Sequence, residues 1–227
     1  MTAASATLHG AREHMLDCHL RARDIDDPRV LAAMRRVPRE AFVAPGSEAE
    51  AYADMPLPIE EGQTISQPYI VALMAQAAQI QPGDRVLEVG TGSGYAAAVV
   101  SELAAHVDTV ERHARLAAGA ARRLDALGYR NIHVHHGDGS CGWPDAAPFD
   151  VILVAAAAPA LPAALRDQLA IGGRAVIPLG AERDCQRLCR FTRRADGDCS
   201  AEDLGGVVFV PLIGEQGWRG PGVVGRL

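Results

Sequence analysis

The chain has 227 residues, 48% of them hydrophobic and 22% charged, with a formal net charge of −6. That length fits one domain with a substantial core and does not require two, while the acidic balance argues against the basic stripe that a nucleic-acid-binding surface needs. The five cysteines (Cys18, Cys141, Cys185, Cys189 and Cys199) form no C-x-x-C pair, so neither a disulfide framework nor a zinc ribbon is indicated and free thiols in a reducing cytosol are expected.

Met1 to Gly10 lacks a basic start followed by a long apolar run, and no stretch approaches ~18 uninterrupted apolar residues. A cytoplasmic chain with no membrane association is expected. From about Thr7 to Arg21, Leu8, Met15, Leu16 and Leu20 share a broad helical face. Asp27-Pro28 signals a second helix, with Asp27 as N-cap, Pro28 at the first helical position and Val30, Leu31 and Met34 on the buried side; Val37-Pro38 ends it. Pro45 to Pro58 reads as an irregular surface connection. The polar run Gly62-Gln63-Thr64-Ile65-Ser66-Gln67-Pro68 leads into a helix over Tyr69 to Ala78, with Ser66 a natural N-cap.

After the Pro82-Gly83-Asp84 turn, strands and helices alternate. Strands are expected at Arg85 to Val89, Val107 to Val110, Ile132 to His135, Val151 to Val154 and Arg174 to Ile177, with helices over Tyr95 to Ala104, Arg112 to Leu127 and Pro162 to Ala170 between them. Leu188 to Thr192 and Val207 to Val210 read as two late strands, with an acidic loop, Ala195 to Gly205, between them. The Gly/Pro-rich tail from Arg219 is expected to be mobile. This alternation implies an α/β fold: a doubly wound, mainly parallel, Rossmann-like sheet of about seven strands with helices on both faces, preceded by a helical and irregular N-terminal segment. The expected division is a helical segment (1–80), a Rossmann-like core (81–212) and a tail (213–227).

The stretch Val86-Leu87-Glu88-Val89-Gly90-Thr91-Gly92-Ser93-Gly94-Tyr95 runs from a buried strand through a glycine turn into a helix. Such a turn lets backbone N–H groups and a helix N-terminus approach a nucleotide-like ligand. A dinucleotide fingerprint needs its third glycine three positions after the second, yet Gly94 follows Gly92 by two. Glu88, just before the turn, suits a cationic ligand and repels a pyrophosphate. E-x-G-x-G-x-G therefore resembles the first motif of methyltransferases that use S-adenosylmethionine (SAM). Glu111, twenty-one residues after Gly90 at the end of an apolar strand, is placed to accept both ribose hydroxyls. Asp138, between two glycines, either accepts from an adenine amino group or forms an ordinary Asx turn. These acids, and Ala155 to Pro159, all fall at carboxyl ends of strands, where such sheets bind ligands. His133 and His135 share one strand face, but no carboxylate or cysteine stands at ligand spacing beside them, so strand-edge histidines and no metal are expected. Cys185 and Cys189, four apart, are read as a coincidence of composition.

Taken together, these segments closely resemble the protein-L-isoaspartate O-methyltransferases over nearly the whole chain. The likeness runs from Asp27-Pro28-Arg29-Val30-Leu31 and Val37-Pro38-Arg39-Glu40-Ala41-Phe42-Val43, through Val110-Glu111-Arg112 and Gly137-Asp138-Gly139, to Phe209-Val210-Pro211-Leu212 and Gly214-Glu215-Gln216-Gly217-Trp218. Gln63 to Pro68 narrows it from the methyltransferases at large to this family. The resemblance implies a SAM site drawn from Glu88, Gly90, Thr91, Gly92, Ser93, Glu111, Arg112, Asp138 and Gly139, with S-adenosyl-L-homocysteine as product. It places Ser66 beside the transferable methyl and the acceptor carboxylate, with Thr64, Ile65, Ala156, Ala157, Val210, Pro211 and Leu212 framing a bound isoaspartyl peptide. It implies repair of damaged proteins by a monomer. Glu60-Glu61 depart from the small residues common at that place and put two carboxylates at the lip of a site for an anionic acceptor.

A carboxylate acceptor, with a pKa of ~4, is ionised at neutral pH and needs no general base, which matches a site without His or Lys beside Ser66. An amino-group methyltransferase of nucleic acid carries (Asn/Asp/Ser)-Pro-Pro-aromatic after strand four, where this chain has Ala155 to Ala158; a cytosine-C5 enzyme needs Pro-Cys, and no cysteine here follows proline. A carboxyl methyltransferase for a small molecule or a dedicated peptide, and a non-catalytic SAM-binding protein, are the alternatives.

Overall fold

The computed structural model describes residues 3–182 and 185–219; the tail beyond Arg219 lies outside them. The first helix is wound in two ways: α1 (Ala3–His14) continues into a wider π-type turn over Met15–Leu20, which buries Met15, Leu16 and Leu20. Helix α2 (Pro28–Arg36) starts as its sequence dictates, with the Asp27 carboxylate accepting from the Arg29 N–H at 2.8 Å. The connection over Pro45 to Pro58 holds one 3₁₀ turn at Glu48–Glu50 and ends in the two-residue strand β1 (Leu57–Pro58), which pairs antiparallel with β2 (Thr64–Ile65). Glu60-Glu61-Gly62 thus become the bend of a small hairpin, with Glu61 at φ 57°. Helix α3 (Pro68–Ala77) comes next, and its N-cap is Gln67, without a side-chain cap. The capping role expected of Ser66 is not realised, because Pro68 takes the first helical position and shifts the cap to its immediate predecessor.

The remaining elements are β3 (Arg85–Val89), α4 (Tyr95–Ser101), β4 (His106–Glu111), α5 (Ala114–Ala126), β5 (Ile132–His136), β6 (Phe149–Val154), α6 (Ala163–Asp167), β7 (Leu169–Glu182), β8 (Cys185–Arg193) and β9 (Cys199–Val207). They build a seven-stranded sheet in the order β5-β4-β3-β6-β7-β8-β9, parallel from β5 to β7 and antiparallel beyond. Three expectations give way here. The late strand expected at Val207 to Val210 keeps only Val207, where β9 ends. The helix expected to reach Ala170 stops at Asp167, because Leu169 already pairs with Phe149 on β6. The acidic stretch expected as a loop is instead most of β9, tied to β8 by cross-strand Arg187–Asp203 (2.8 Å) and Arg190–Glu202 ion pairs.

The chain reverses its winding between β3 and β6, where β4 lies on one side and β6 on the other. One sheet face shares a hydrophobic cluster with the N-terminal helices (Met15, Leu20, Met34, Val86, Val99, Val107) and the other packs Leu87, Val110, Ile152 and Leu165. Within the first cluster Arg39 is fully buried, its Nε donating to the Ala51 carbonyl at 2.6 Å and its guanidinium lying over the Tyr95 ring, 4.7 Å from the centroid. Among the described residues no helix is long and apolar enough to cross a membrane.

Candidate active site

At the switch between β3 and β6 the chain turns through Gly90, Gly92 and Gly94, all in the left-handed region (φ +97°, +53° and +91°). Side chains rarely adopt that conformation, so the turn is tight because all three are glycine. The Gly90 N–H donates to the Val110 carbonyl at 2.9 Å and the Ala155 N–H to the Val89 carbonyl at 2.8 Å, so the loop is sewn to both neighbouring strand ends. From α5, Arg123 donates to the Ser93 carbonyl at 2.8 Å. Glu111, the last residue of β4, accepts from the Gly92 N–H through Oε2 and from the His113 N–H through Oε1, both at 2.9 Å. Its carboxylate is therefore held in one orientation at the wall of the cavity, with lone pairs left for two further donors.

Glu88 lies one layer beneath. It is 1% exposed and does not line the cavity. The Thr109 hydroxyl donates to its Oε2 at 2.6 Å and contacts the Thr91 hydroxyl at 2.6 Å, so a relay runs from the buried acid to the loop. Its Oε1 is buried with no partner among the described residues. Burial, together with the nearby Glu111 charge and against the Thr109 hydrogen bond, pushes its pKa up to about 8.

The cavity above the loop is lined by the glycine turn, Glu111, Arg112, His113, Gly139 and, from the far ends of the chain, Gln63 to Ser66 and Val210 to Ile213. A second, larger groove of about 1170 Å³ runs between Gln67, Tyr69, Leu73, Arg187 and Phe209. Thr64, Ser66, Ala155 and Val210 line both. The Ser66 hydroxyl makes no hydrogen bond within the described residues, so it is available at the junction. Its hairpin is anchored from outside: Gln67 donates to the Asp54 carbonyl at 3.0 Å, and Glu61 turns away from the groove toward His113 (3.8 Å) and Arg115 (3.7 Å). Neither Glu60 nor Glu61 lines either cavity, so the two carboxylates expected at the lip do not face the acceptor groove.

Val210 to Leu212 fold back over the site by pairing with the alanine run after β6: Ala157 donates to Val210 at 2.8 Å and accepts from the Leu212 N–H at 2.7 Å. Asp138 fastens the segment beyond Leu212. Its Oδ1 accepts from the Ser140 N–H (2.9 Å) and hydroxyl (2.7 Å), and its Oδ2 from the Glu215 N–H (2.7 Å). Burial opposes its ionisation, yet the hydrogen bonds from Glu215 and Ser140 outweigh that and hold its pKa below the usual value.

Of the residues expected at the site, Thr64, Ile65, Ser66, Gly90, Thr91, Gly92, Ser93, Glu111, Arg112, Gly139, Ala156, Val210, Pro211 and Leu212 meet at one cavity. Glu88, Asp138 and Ala157 stand behind it as supports. Gln63 and Ala155, from segments expected at the site, line it too, and Tyr95, His113 and Ile213 join them without having been named as site residues. For His113 the only signal was its closeness to Glu111.

A glycine turn at the switch point of a sheet in this order, with an acid closing the next strand, defines the Rossmann-like methyltransferase class. The sequence profile of the protein-L-isoaspartate (D-aspartate) O-methyltransferase family matches residues 11–217, and the chain belongs to that family. The protein-L-isoaspartate O-methyltransferase of Rhodopseudomonas palustris is 54% identical over 212 residues, spanning 93% of this chain and 97% of its own. Protein-L-isoaspartate O-methyltransferase 1 of Geotalea uraniireducens is 58% identical over 207 residues, covering 91% and 94%. Among solved structures, a protein-L-isoaspartate O-methyltransferase superposes with a TM-score of 0.82 at 29% identity over 91% of this chain and 67% of that one. A Plasmodium falciparum structure in complex with S-adenosyl-L-homocysteine gives 0.77 at 28% identity over 89% and 98%.

Proposed function

We propose that this chain transfers a methyl group from SAM to the free carboxylate of L-isoaspartyl residues in peptides and proteins, the first step of repair through a succinimide. The observation that carries this reading is the Ser66 hydroxyl, without a partner among the described residues, at the junction of the two cavities. The residues present fit SAM: a loop with glycine at three of its five positions floors the cavity, the fixed Glu111 carboxylate offers two acceptor positions to a ribose, and the buried Glu88 braces the loop from beneath through Thr109. Gly90, Thr91, Gly92, Ser93, Arg112 and Gly139 complete the donor site, with Asp138 and Glu88 supporting it. When bound, SAM supplies a sulfonium methyl and takes back the S–C electron pair as S-adenosyl-L-homocysteine.

The chain's own task is positioning. Ser66 donates to one oxygen of the acceptor carboxylate and turns the other toward the methyl at near-attack distance. No base is needed, because the carboxylate is already ionised. Thr64, Ile65 and Ala156 frame the acceptor, with Val210, Pro211 and Leu212, held by Ala157, closing over it. Esterification turns a poor leaving group into methoxide, so the next backbone amide nitrogen closes the succinimide, and hydrolysis of that ring returns some normal aspartyl linkage.

The finer expectations belong to the same reading: a cytoplasmic monomer acting on peptides and not on nucleic acid. The free state of all five cysteines suits a reducing compartment, and the net charge of −6 suits a peptide acceptor over nucleic acid.

The purified chain is expected to label an isoaspartyl peptide with methyl from SAM and to leave the matching aspartyl peptide unlabelled. Equal labelling of both would overturn the repair reading, and labelling of neither would leave only a SAM-binding protein. Ser66→Ala is expected to lower kcat roughly 10- to 100-fold, the worth of one hydrogen bond to a charged group at about 1.5–3 kcal/mol. Its affinity for S-adenosyl-L-homocysteine should stay within twofold. Because Ser66 caps no helix, a loss of stability would contradict the orienting role.

A further inference from the structure

On β4, at the opposite end from Glu111, a second buried carboxylate is incompletely satisfied. Asp108 is 3% exposed; its Oδ1 meets His135 Nε2 at 2.7 Å, while Oδ2 is buried with no hydrogen-bond partner among the described residues. His106 Nε2 stands 3.2 Å from that orphaned oxygen. In the parallel β4–β5 register Asp108 is paired with His133, so both side chains leave the same face of the sheet. The His106 and His133 rings meet edge-on, 4.7 Å between centroids, and one donor atom from each of His106, Asp108 and His133 lies within 4.8 Å of the others.

We propose that His106, Asp108 and His133 form a binding site for a Zn²⁺-type divalent ion that clasps the β4–β5 edge of the sheet. Two imidazoles and a carboxylate are the donors of such ions, whereas Mg²⁺ and Ca²⁺ take all-oxygen shells. With bonds of ~2.1 Å, tetrahedral donors lie about 3.4 Å apart, and the His106–Asp108 edge is already close to that. His133 is exposed, so its ring turns in at little cost and leaves the fourth position to water. The outer partner is in place as well: His135 holds the second carboxylate oxygen, and its own ring is stacked on Trp143 (4.1 Å, 19°). The cation meets the cost of a buried carboxylate whose second oxygen is left without a hydrogen bond.

The test is calorimetric titration of the chelator-stripped full-length protein with ZnCl₂ in a non-coordinating buffer. Saturable binding of one ion per chain is expected, with a rise in Tm that tracks occupancy. His106→Gln and His133→Gln should each weaken binding at least tenfold and together abolish the Tm rise, and His135→Gln should weaken it about tenfold through the outer shell. Unchanged affinity for S-adenosyl-L-homocysteine in the double variant checks that the fold is intact. Absence of one-to-one binding, or binding that survives in the double variant and so belongs to the cysteines or other histidines, would overturn the proposal.

Discussion

Glu111→Ala is expected to weaken binding of S-adenosyl-L-homocysteine by a hundredfold or more. The reason is geometric as well as chemical. The Glu111 carboxylate accepts from Gly92 and His113 N–H groups, so it shapes the glycine turn and offers its remaining lone pairs to the ligand in one fixed orientation. Two charge-assisted hydrogen bonds to a ribose are worth about 1.5–3 kcal/mol each, and every 1.4 kcal/mol is tenfold in affinity. Calorimetric titration reads the loss directly. An affinity within threefold of the parent would remove Glu111 from the ribose site, and an unchanged Ser66→Ala phenotype in the same assay would show that donor and acceptor halves are separable.

The second large effect concerns pH. Glu88 has a folded pKa of about 8 against an ordinary 4.5, chiefly from burial. The folded state therefore binds a proton that the unfolded state has released between these two values, and stability falls as pH rises through that window. The contribution is complete below about pH 4.5 and is lost by pH 8, at about 1.4 kcal/mol per unit of pKa separation. Glu88→Gln keeps an acceptor for Thr109 and cannot ionise. Without ligand it should remove this slope, matching the parent near pH 4.5 and exceeding it by a few kcal/mol at pH 8.5. Urea unfolding midpoints from pH 4 to 9 measure the difference; parallel curves for the two proteins would show that Glu88 is ionised in the fold after all.

The parallel strands and the donor site are legible in the residue order because their signals are local. Strands buried on both faces are short apolar runs bounded by turn residues, and Gly90, Gly92 and Gly94 mark a left-handed turn that few other residues permit. Glu111 and Gly139 are then found from their places at strand ends. The Gln63 to Pro68 run marks the acceptor side through the family resemblance, while its local grammar misleads: Ser before Gln-Pro resembles a cap, yet the helix takes Gln67.

The features that escape a reading of the residues depend on partners far along the chain. Strand β9 is half-exposed and acidic, so it lacks the alternation of a strand, and it is ordered by Arg187 and Arg190 across the hairpin. Asp138, open in the sequence to either an adenine contact or an Asx turn, makes the Asx turn with Ser140 and also accepts from the Glu215 N–H, 77 residues away. No carboxylate stands at ligand spacing beside His133 in sequence; the β4–β5 register brings Asp108 beside it.

The order of strands and helices, the glycine turn and the family are all written in runs of neighbouring residues, because periodicity and backbone freedom are local properties. Which side chains meet is settled by tertiary packing alone: Ser66 uncapped between two cavities, Glu88 sunk beneath the loop it was expected to line, Asp138 tied to the C-terminal segment. Strand register and long-range packing set those distances, and local chemistry carries no record of them.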